Sequence, residues 1–141
     1  TQKSLETDLA IIQEHLMENS LDEGAFFCEY GYFVKTYQLT KRRLERLGLS
    51  TYLCLVTLQT DKGKSPDLTK LDGYMAKLLG VLNLSLRTGD VVAKYSGAQY
   101  ILMLPCVNFE NADMVMNRIL SNYKKKFRTD KVILNYKIKE I

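Results

Sequence analysis

Leu86-Arg87-Thr88-Gly89-Asp90-Val91-Val92-Ala93-Lys94-Tyr95-Ser96-Gly97-Ala98-Gln99-Tyr100-Ile101-Leu102-Met103-Leu104-Pro105 is the stretch that sets the architecture. Thr88-Gly89 turns the chain, and Val91–Tyr95 (VVAKY) has the β-branched and aromatic content of a strand. Ser96-Gly97 is a tight-turn signal, after which Gln99–Leu104 (QYILML) returns as the second arm of a hairpin. Pro105 ends that arm because it has no N–H to add to a ladder.

Each flank of the hairpin repeats one pattern. Upstream, Thr51–Gln59 (TYLCLVTLQ) is a nearly continuous apolar and β-branched run, as a buried central strand requires. Residues 60–66 (TDKGKSP) form a loop, and a helix is predicted over Asp67–Leu86 with Leu68, Leu71, Met75, Leu78, Leu82 and Leu86 on its buried stripe. Downstream, a helix over Phe109–Phe127 places Ala112, Met116, Ile119, Leu120 and Tyr123 inward, and Val132–Ile138 (VILNYKI) is a last strand. The order from residue 51 onward is βαββαβ. It predicts an α+β, ferredoxin-like antiparallel sheet with its helices on one face.

Two helices are expected before this core. One spans Ala25–Leu47 and stops at Gly48, with Phe26, Tyr30, Phe33, Tyr37, Leu44 and Leu47 near one face. It should pack against the same layer as the other helices. Its basic cluster Lys41, Arg42, Arg43 and Arg46 sits where cations complement the helix dipole. The other helix covers residues 4–19, with Ser4 as its N-cap. Leu5, Leu9, Ile12 and Leu16 form a two-heptad seam there, too short for an independent coiled coil. It fits a linker helix that pairs with a copy of itself, making a homodimer, or that lies on the next domain. Residues 20–24 (SLDEG) are the break, which gives a linker helix over 1–24 and a domain over 25–141.

Charge supports that boundary. Residues 1–30 hold one Lys and seven acids, net −6, whereas residues 31–141 hold 19 basic residues and nine acids, net +10. The total of +4 over 141 residues, with 46% apolar and 26% charged residues, is ordinary globular usage and excludes disorder as the main state. No apolar run approaches the ~18–20 residues of a membrane span, so no membrane partner is expected. The chain opens on Thr1 rather than Met, which predicts a piece of something longer. Cys28, Cys54 and Cys106 are too few and too scattered for a disulfide scaffold or zinc site, and read as buried free thiols in a reducing cytoplasm. The single histidine, His15, lies in an acidic, exposed helix and reads as solvated rather than as a general base. Phosphate-binding glycine loops and a nucleophile elbow are absent, and no strand carries the basic–Gly–aromatic phrase of an RNA-binding module.

The twenty residues quoted above resemble GGDEF domains. In that family a helix ends in a Leu-Arg-x-x-Asp phrase, a strand follows, and a Gly-Gly-Asp-Glu-Phe hairpin leads into an apolar strand closed by Pro. The spacing here matches without a gap, although the family's C-terminal helix and strand are missing. Phrases such as Gly24-Ala25-Phe26-Phe27-Cys28-Glu29-Tyr30 and Tyr95-Ser96 also resemble the C-terminal region of bacterial regulators with a winged-helix and a bacterial transcriptional activator domain. That resemblance implies upstream domains of the same chain, which would hold the DNA-binding function, so no direct nucleic-acid contact is expected from this segment.

The resemblance also implies what chemistry to look for. Active members condense two GTP molecules into cyclic di-GMP, using metal ions held by carboxylates. Their first strand ends in Asp-x-Asp, where this chain has Thr57-Leu58-Gln59. The five signature positions read Ser96-Gly97-Ala98-Gln99-Tyr100, so the third and fourth, acidic in the family, are Ala98 and Gln99. Magnesium demands hard anionic oxygens, which Thr57, Gln59, Ala98 and Gln99 do not supply. Neither a metal, a cofactor nor cyclase activity is expected. Asp72 falls near the family's guanine-contacting Asp but without the usual preceding Gly, and reads as a helix-entry acid. Arg87 and Asp90 stand five residues before the signature, where many members bind cyclic di-GMP as an inhibitor. An Arg forks onto a phosphate or guanine edge and an Asp accepts from guanine nitrogens. The local reading of the same pair is a turn cap. The expected function is a non-catalytic GGDEF-like regulatory or dimerisation module of a cytoplasmic bacterial signalling or transcription-regulatory protein. The alternatives are a cyclic di-GMP receptor through Arg87 and Asp90, and an active diguanylate cyclase.

Overall fold

The computed structural model describes residues 2–17, 24–60, 62–64, 66–105, 108–127 and 132–141. In chain order its elements are α1 (Gln2–Leu16), β1 (Phe26–Cys28), α2 (Tyr30–Leu47), β2 (Thr51–Thr60), α3 (Leu68–Ser85), β3 (Val91–Ser96), β4 (Gln99–Pro105), α4 (Phe109–Lys126) and β5 (Val132–Glu140). One five-stranded sheet has the order β1-β3-β4-β2-β5. β2 is an interior strand, antiparallel to both β4 and β5, and β3 is antiparallel to β4. This is the βαββαβ arrangement the hairpin implied.

β2 is apolar almost throughout, with one face in the main core and the other, carrying Leu53 and Leu55, half-buried. Tyr52, Cys54, Val56 and Leu58 point into the main core, with Val92 of β3, Leu102 and Leu104 of β4, and Leu134 of β5. From α3 that core receives Met75, Leu78, Val81 and Leu82, and from α4 Ala112, Met116, Ile119 and Tyr123. Asp67 caps α3 by accepting from the Thr69 N–H at 3.1 Å, so the helix begins one residue later than its acid suggested. Leu68, expected on the buried stripe, is exposed because it lies in the first turn, before the helix meets the sheet. Leu120 is half-buried, at the margin of the same core.

Four expectations near the N-terminus are corrected. The segment expected to open a helix at Ala25 instead forms β1, which runs parallel to β3 with Phe26 opposite Val91 and Cys28 opposite Ala93. Phe-Phe-Cys favours the extended state, and the Phe26 N–H donates to the Asp90 carbonyl at 2.8 Å to set the register. Gly24 makes the approach feasible: with φ of 103°, a side chain there would place its Cβ 2.6 Å from the Asn83 carbonyl oxygen. α2 then starts at Tyr30 and ends at Gly48 in the left-handed conformation, where the Leu49 N–H donates to the Leu44 carbonyl at 2.8 Å.

Second, α2 packs on the opposite sheet face from α3 and α4. Its Phe33 lies in a separate small core with Val91, Ala93 and Met103, whose side chains alternate with those of the main core. Tyr30 and Leu47, expected on its buried face, are exposed, whereas Phe33 and Leu44 are buried. Third, Ser4 lies inside α1, which begins at Gln2, so it is not the N-cap. The expected helix end at residues 18–19 and most of the break at 20–24 lie outside the described residues. Fourth, Cys54 is buried but Cys28 is half-buried, because β1 is an edge strand; Cys106 lies outside the described residues.

Candidate functional site

Two neighbouring places hold the residues that the sequence singles out. The first is the tip of the β3–β4 hairpin, where Gly97 and Ala98 form the turn. β2 runs beside it, with Thr57 directly opposite Gln99. The Ser96 hydroxyl donates to Gln99 Oε1 at 2.8 Å, and Gln99 Nε2 donates to Thr57 Oγ1 at 3.0 Å. The Ala98 N–H points to Ser96 Oγ at 3.4 Å, and its carbonyl accepts from the Leu58 N–H at 2.9 Å. The Ala98 side chain packs against the main core. One step along β2, Gln59 accepts from Asn135 Nδ2 of β5 at 3.2 Å.

Thr57 and Gln99 therefore come together, while Gln59 turns to β5 and Ala98 contributes only a methyl group. The donor set is neutral, and the Thr57 and Gln99 oxygens already accept hydrogen bonds from within the cluster. Magnesium takes near-octahedral anionic oxygen ligands and gives up its water reluctantly. These residues do not fit it. Among the described residues no group of three or more His, Cys, Asp or Glu side chains is placed to hold a metal.

The second place is the turn from α3 into β3. The Asp90 carboxylate accepts from the Arg87 backbone N–H at 2.8 Å, and the Asp90 N–H donates to the Arg87 carbonyl at 3.0 Å. Asp90 is only 6% exposed, whereas the Arg87 side chain stands in solvent. Burial pushes the Asp90 carboxyl upward, opposed by the Arg87 backbone hydrogen bond and by the charges of Arg87 and Arg118. Asp90 is thus committed to closing the turn, and Arg87 is the group that reaches outward. Asp72 is exposed on α3.

Behind the turn lies a polar cluster that the sequence reading missed. Arg118 of α4 donates from Nε to the Ser85 carbonyl at 3.0 Å and from a terminal guanidinium nitrogen to the same oxygen. Asn122 Nδ2 donates to Ser85 Oγ at 2.9 Å, and that hydroxyl donates to the Val81 carbonyl at 2.7 Å. Arg118 and Asn122 are four apart on one helix face, a spacing that marks a shared partner. Arg118 thereby supplies donors to the Ser85 carbonyl, the last of α3, which has no intrahelical partner.

Comparison with solved structures decides the fold. A diguanylate cyclase (DGC) protein from Thermotoga maritima superposes with a TM-score of 0.66 at 15% identity, over 82% of this chain and 81% of that one. The GGDEF domain of PA1120 (YfiN or TpbB) from Pseudomonas aeruginosa gives 0.66 at 13% identity, over 80% and 75%. The chain has the GGDEF fold. A structure of the coiled coil and GGDEF domain of DgcB from Caulobacter crescentus, in complex with c-di-GMP, covers 99% of this chain and 76% of its own, with a TM-score of 0.64 at 11% identity. No protein-family profile matches the sequence, and no curated protein matches it either. At these identities the GGDEF likeness is one of fold alone. Among the described residues no helix is long and apolar enough to cross a membrane.

Proposed function

We propose that this chain is a non-catalytic GGDEF-fold module that serves a regulatory or dimerisation role in a bacterial signalling or transcription-regulatory protein. The observation that carries this reading is the hydrogen-bonded Ser96–Gln99–Thr57 chain at the hairpin tip. Neutral side chains there satisfy one another, where phosphoryl transfer between nucleotides needs metal-binding carboxylates to steady the attacking and leaving oxygens. Incubation with GTP and Mg²⁺ or Mn²⁺, followed by chromatography for cyclic di-GMP, tests it. No product is expected, and turnover at any enzyme-dependent rate overturns the reading.

A second reading is favoured by the exposed Arg87 next to the buried Asp90. It makes the α3–β3 turn a cyclic di-GMP receptor in which Arg87 supplies the fork for a phosphate or guanine edge. Titration calorimetry with cyclic di-GMP separates the two. Heat that vanishes in Arg87→Ala supports the receptor; no heat at high micromolar ligand eliminates it.

A further inference from the structure

The sheet has two helices on one face and one on the other. α2 sits over β3, with Phe33 against Val91, Ala93 and Met103. Packed helices lie about 8–10 Å apart and strands about 4.8 Å apart, so one more helix would fit beside α2, two strands along, over β2 and β5. An apolar groove of about 250 Å³ lies along this side of α2, lined by Val34 and Tyr37 of α2, Leu53 and Leu55 of β2, Tyr95 and Ile101.

α1 has the complementary surface. Its seam residues Leu5, Leu9, Ile12 and Leu16 are 64%, 64%, 48% and 76% exposed, and no described side chain of the helix is buried. At 100° per residue the acids Glu6 and Asp8 flank this stripe on opposite sides. The groove is rimmed by cations on opposite sides too. Lys137 and Lys139 of β5 stand directly across from Leu55 and Leu53, and Lys41 follows Tyr37 by one turn of α2.

We propose that this groove is the seat for α1 of a second copy of the chain, in a reciprocal exchange. Leu9 and Ile12 fill the apolar strip while Glu6 and Asp8 face the lysines. The partner's helix, rather than the chain's own, is indicated by where α1 joins the domain. Gly24 packs against Asn83 on the α3 side of the sheet, opposite the groove. In this structure the chain's own α1 does not occupy the groove, since every described side chain of that helix is exposed. The exchange is isologous and closes as a two-fold dimer. It goes beyond the non-catalytic reading and does not rest on it.

Sedimentation equilibrium of the full chain tests it with Lys137→Glu/Lys139→Glu, both exposed positions. The expected result is a dimer whose Kd weakens about tenfold or more in that variant. Adding Glu6→Lys/Asp8→Lys to the same chain should restore it to within about threefold. In mixed ¹⁴N and ¹⁵N chains, zero-length carboxyl–amine coupling should join residue 6 or 8 to residue 137 or 139 in mixed-isotope peptides. A chain that stays monomeric at all concentrations overturns the proposal, as do cross-links found only in uniform-isotope peptides with no mixed ones, which would place α1 on its own domain. A dimer broken by Leu9→Glu but untouched by the lysine reversal also overturns it, since that is helix pairing with helix.

Discussion

The two faces of the sheet use the same strands and differ in how they are closed. On the α3–α4 face, Val56, Leu58, Leu102 and Leu104 are almost wholly out of solvent. On the α2 face, Leu53, Leu55 and Ile101 are alternate residues of the same two strands, and they remain half-buried. Because successive side chains point to opposite faces, neighbours in sequence report two environments separated only by a backbone. The first face holds the larger core, and the second holds the smaller cluster of Phe33, Val91, Ala93 and Met103. The second is only partly covered by the chain's own helices, and the proposed partner contact falls there.

The largest contrast expected between the faces is in thiol labelling. Cys54 lies in the main core, and burial together with the nearby Asp90 charge pushes its thiol up to about 12. Cys28 sits at the α2 face on an edge strand, and burial raises it as well, but it is only half-buried. In a Cys106→Ser background, alkylation of Cys28 should outpace that of Cys54 by about a thousandfold, since Cys54 reacts only through global opening. Equal rates, read by mass spectrometry, would mean that both faces open together.

Next in size is truncation. Leu102→Ala should cost about 3–4 kcal/mol and Ile101→Ala about 1 kcal/mol, measured from urea midpoints. Similar costs would show that the α2 face is closed as tightly as the other. Arg118→Ala should cost about 1–2 kcal/mol by leaving the Ser85 carbonyl without its charged donor. The smallest effect concerns Asp90. Its carboxyl is raised by burial, so in the window above the usual Asp value the native state holds more protons than the unfolded one. Stability therefore falls as pH rises through that window, and Asp90→Asn should remove this component while keeping an acceptor for the Arg87 N–H. Parallel pH profiles for the two proteins would show that Asp90 does not titrate there.

The same comparison explains what could be read from the sequence. The core order βαββαβ was legible because period-two and period-3.6 patterns were long and separated by Gly, Pro and Ser. Phe26–Cys28 was not, because three apolar residues beside a helical stretch fit either period. The face chosen by α2 was also hidden: a helix stripe says that it is buried, not on which side of a sheet. At the candidate site, Thr57 and Gln99 were singled out by the resemblance to GGDEF domains, and their direct pairing appears only in the structure. The Arg118–Ser85–Asn122 cluster was not legible, because it joins residues more than thirty positions apart through a helix end.

β2 has one further consequence, for synthesis. Both its neighbours, β4 and β5, come later in the chain, and β5 begins only at Val132. As the polypeptide leaves the ribosome, this interior strand emerges with neither edge paired. Its β5 side stays open until β5 itself has emerged. A nascent chain paused before that point presents the backbone of Cys54, Val56 and Leu58 as a free apolar edge, the kind of template that other chains pair with.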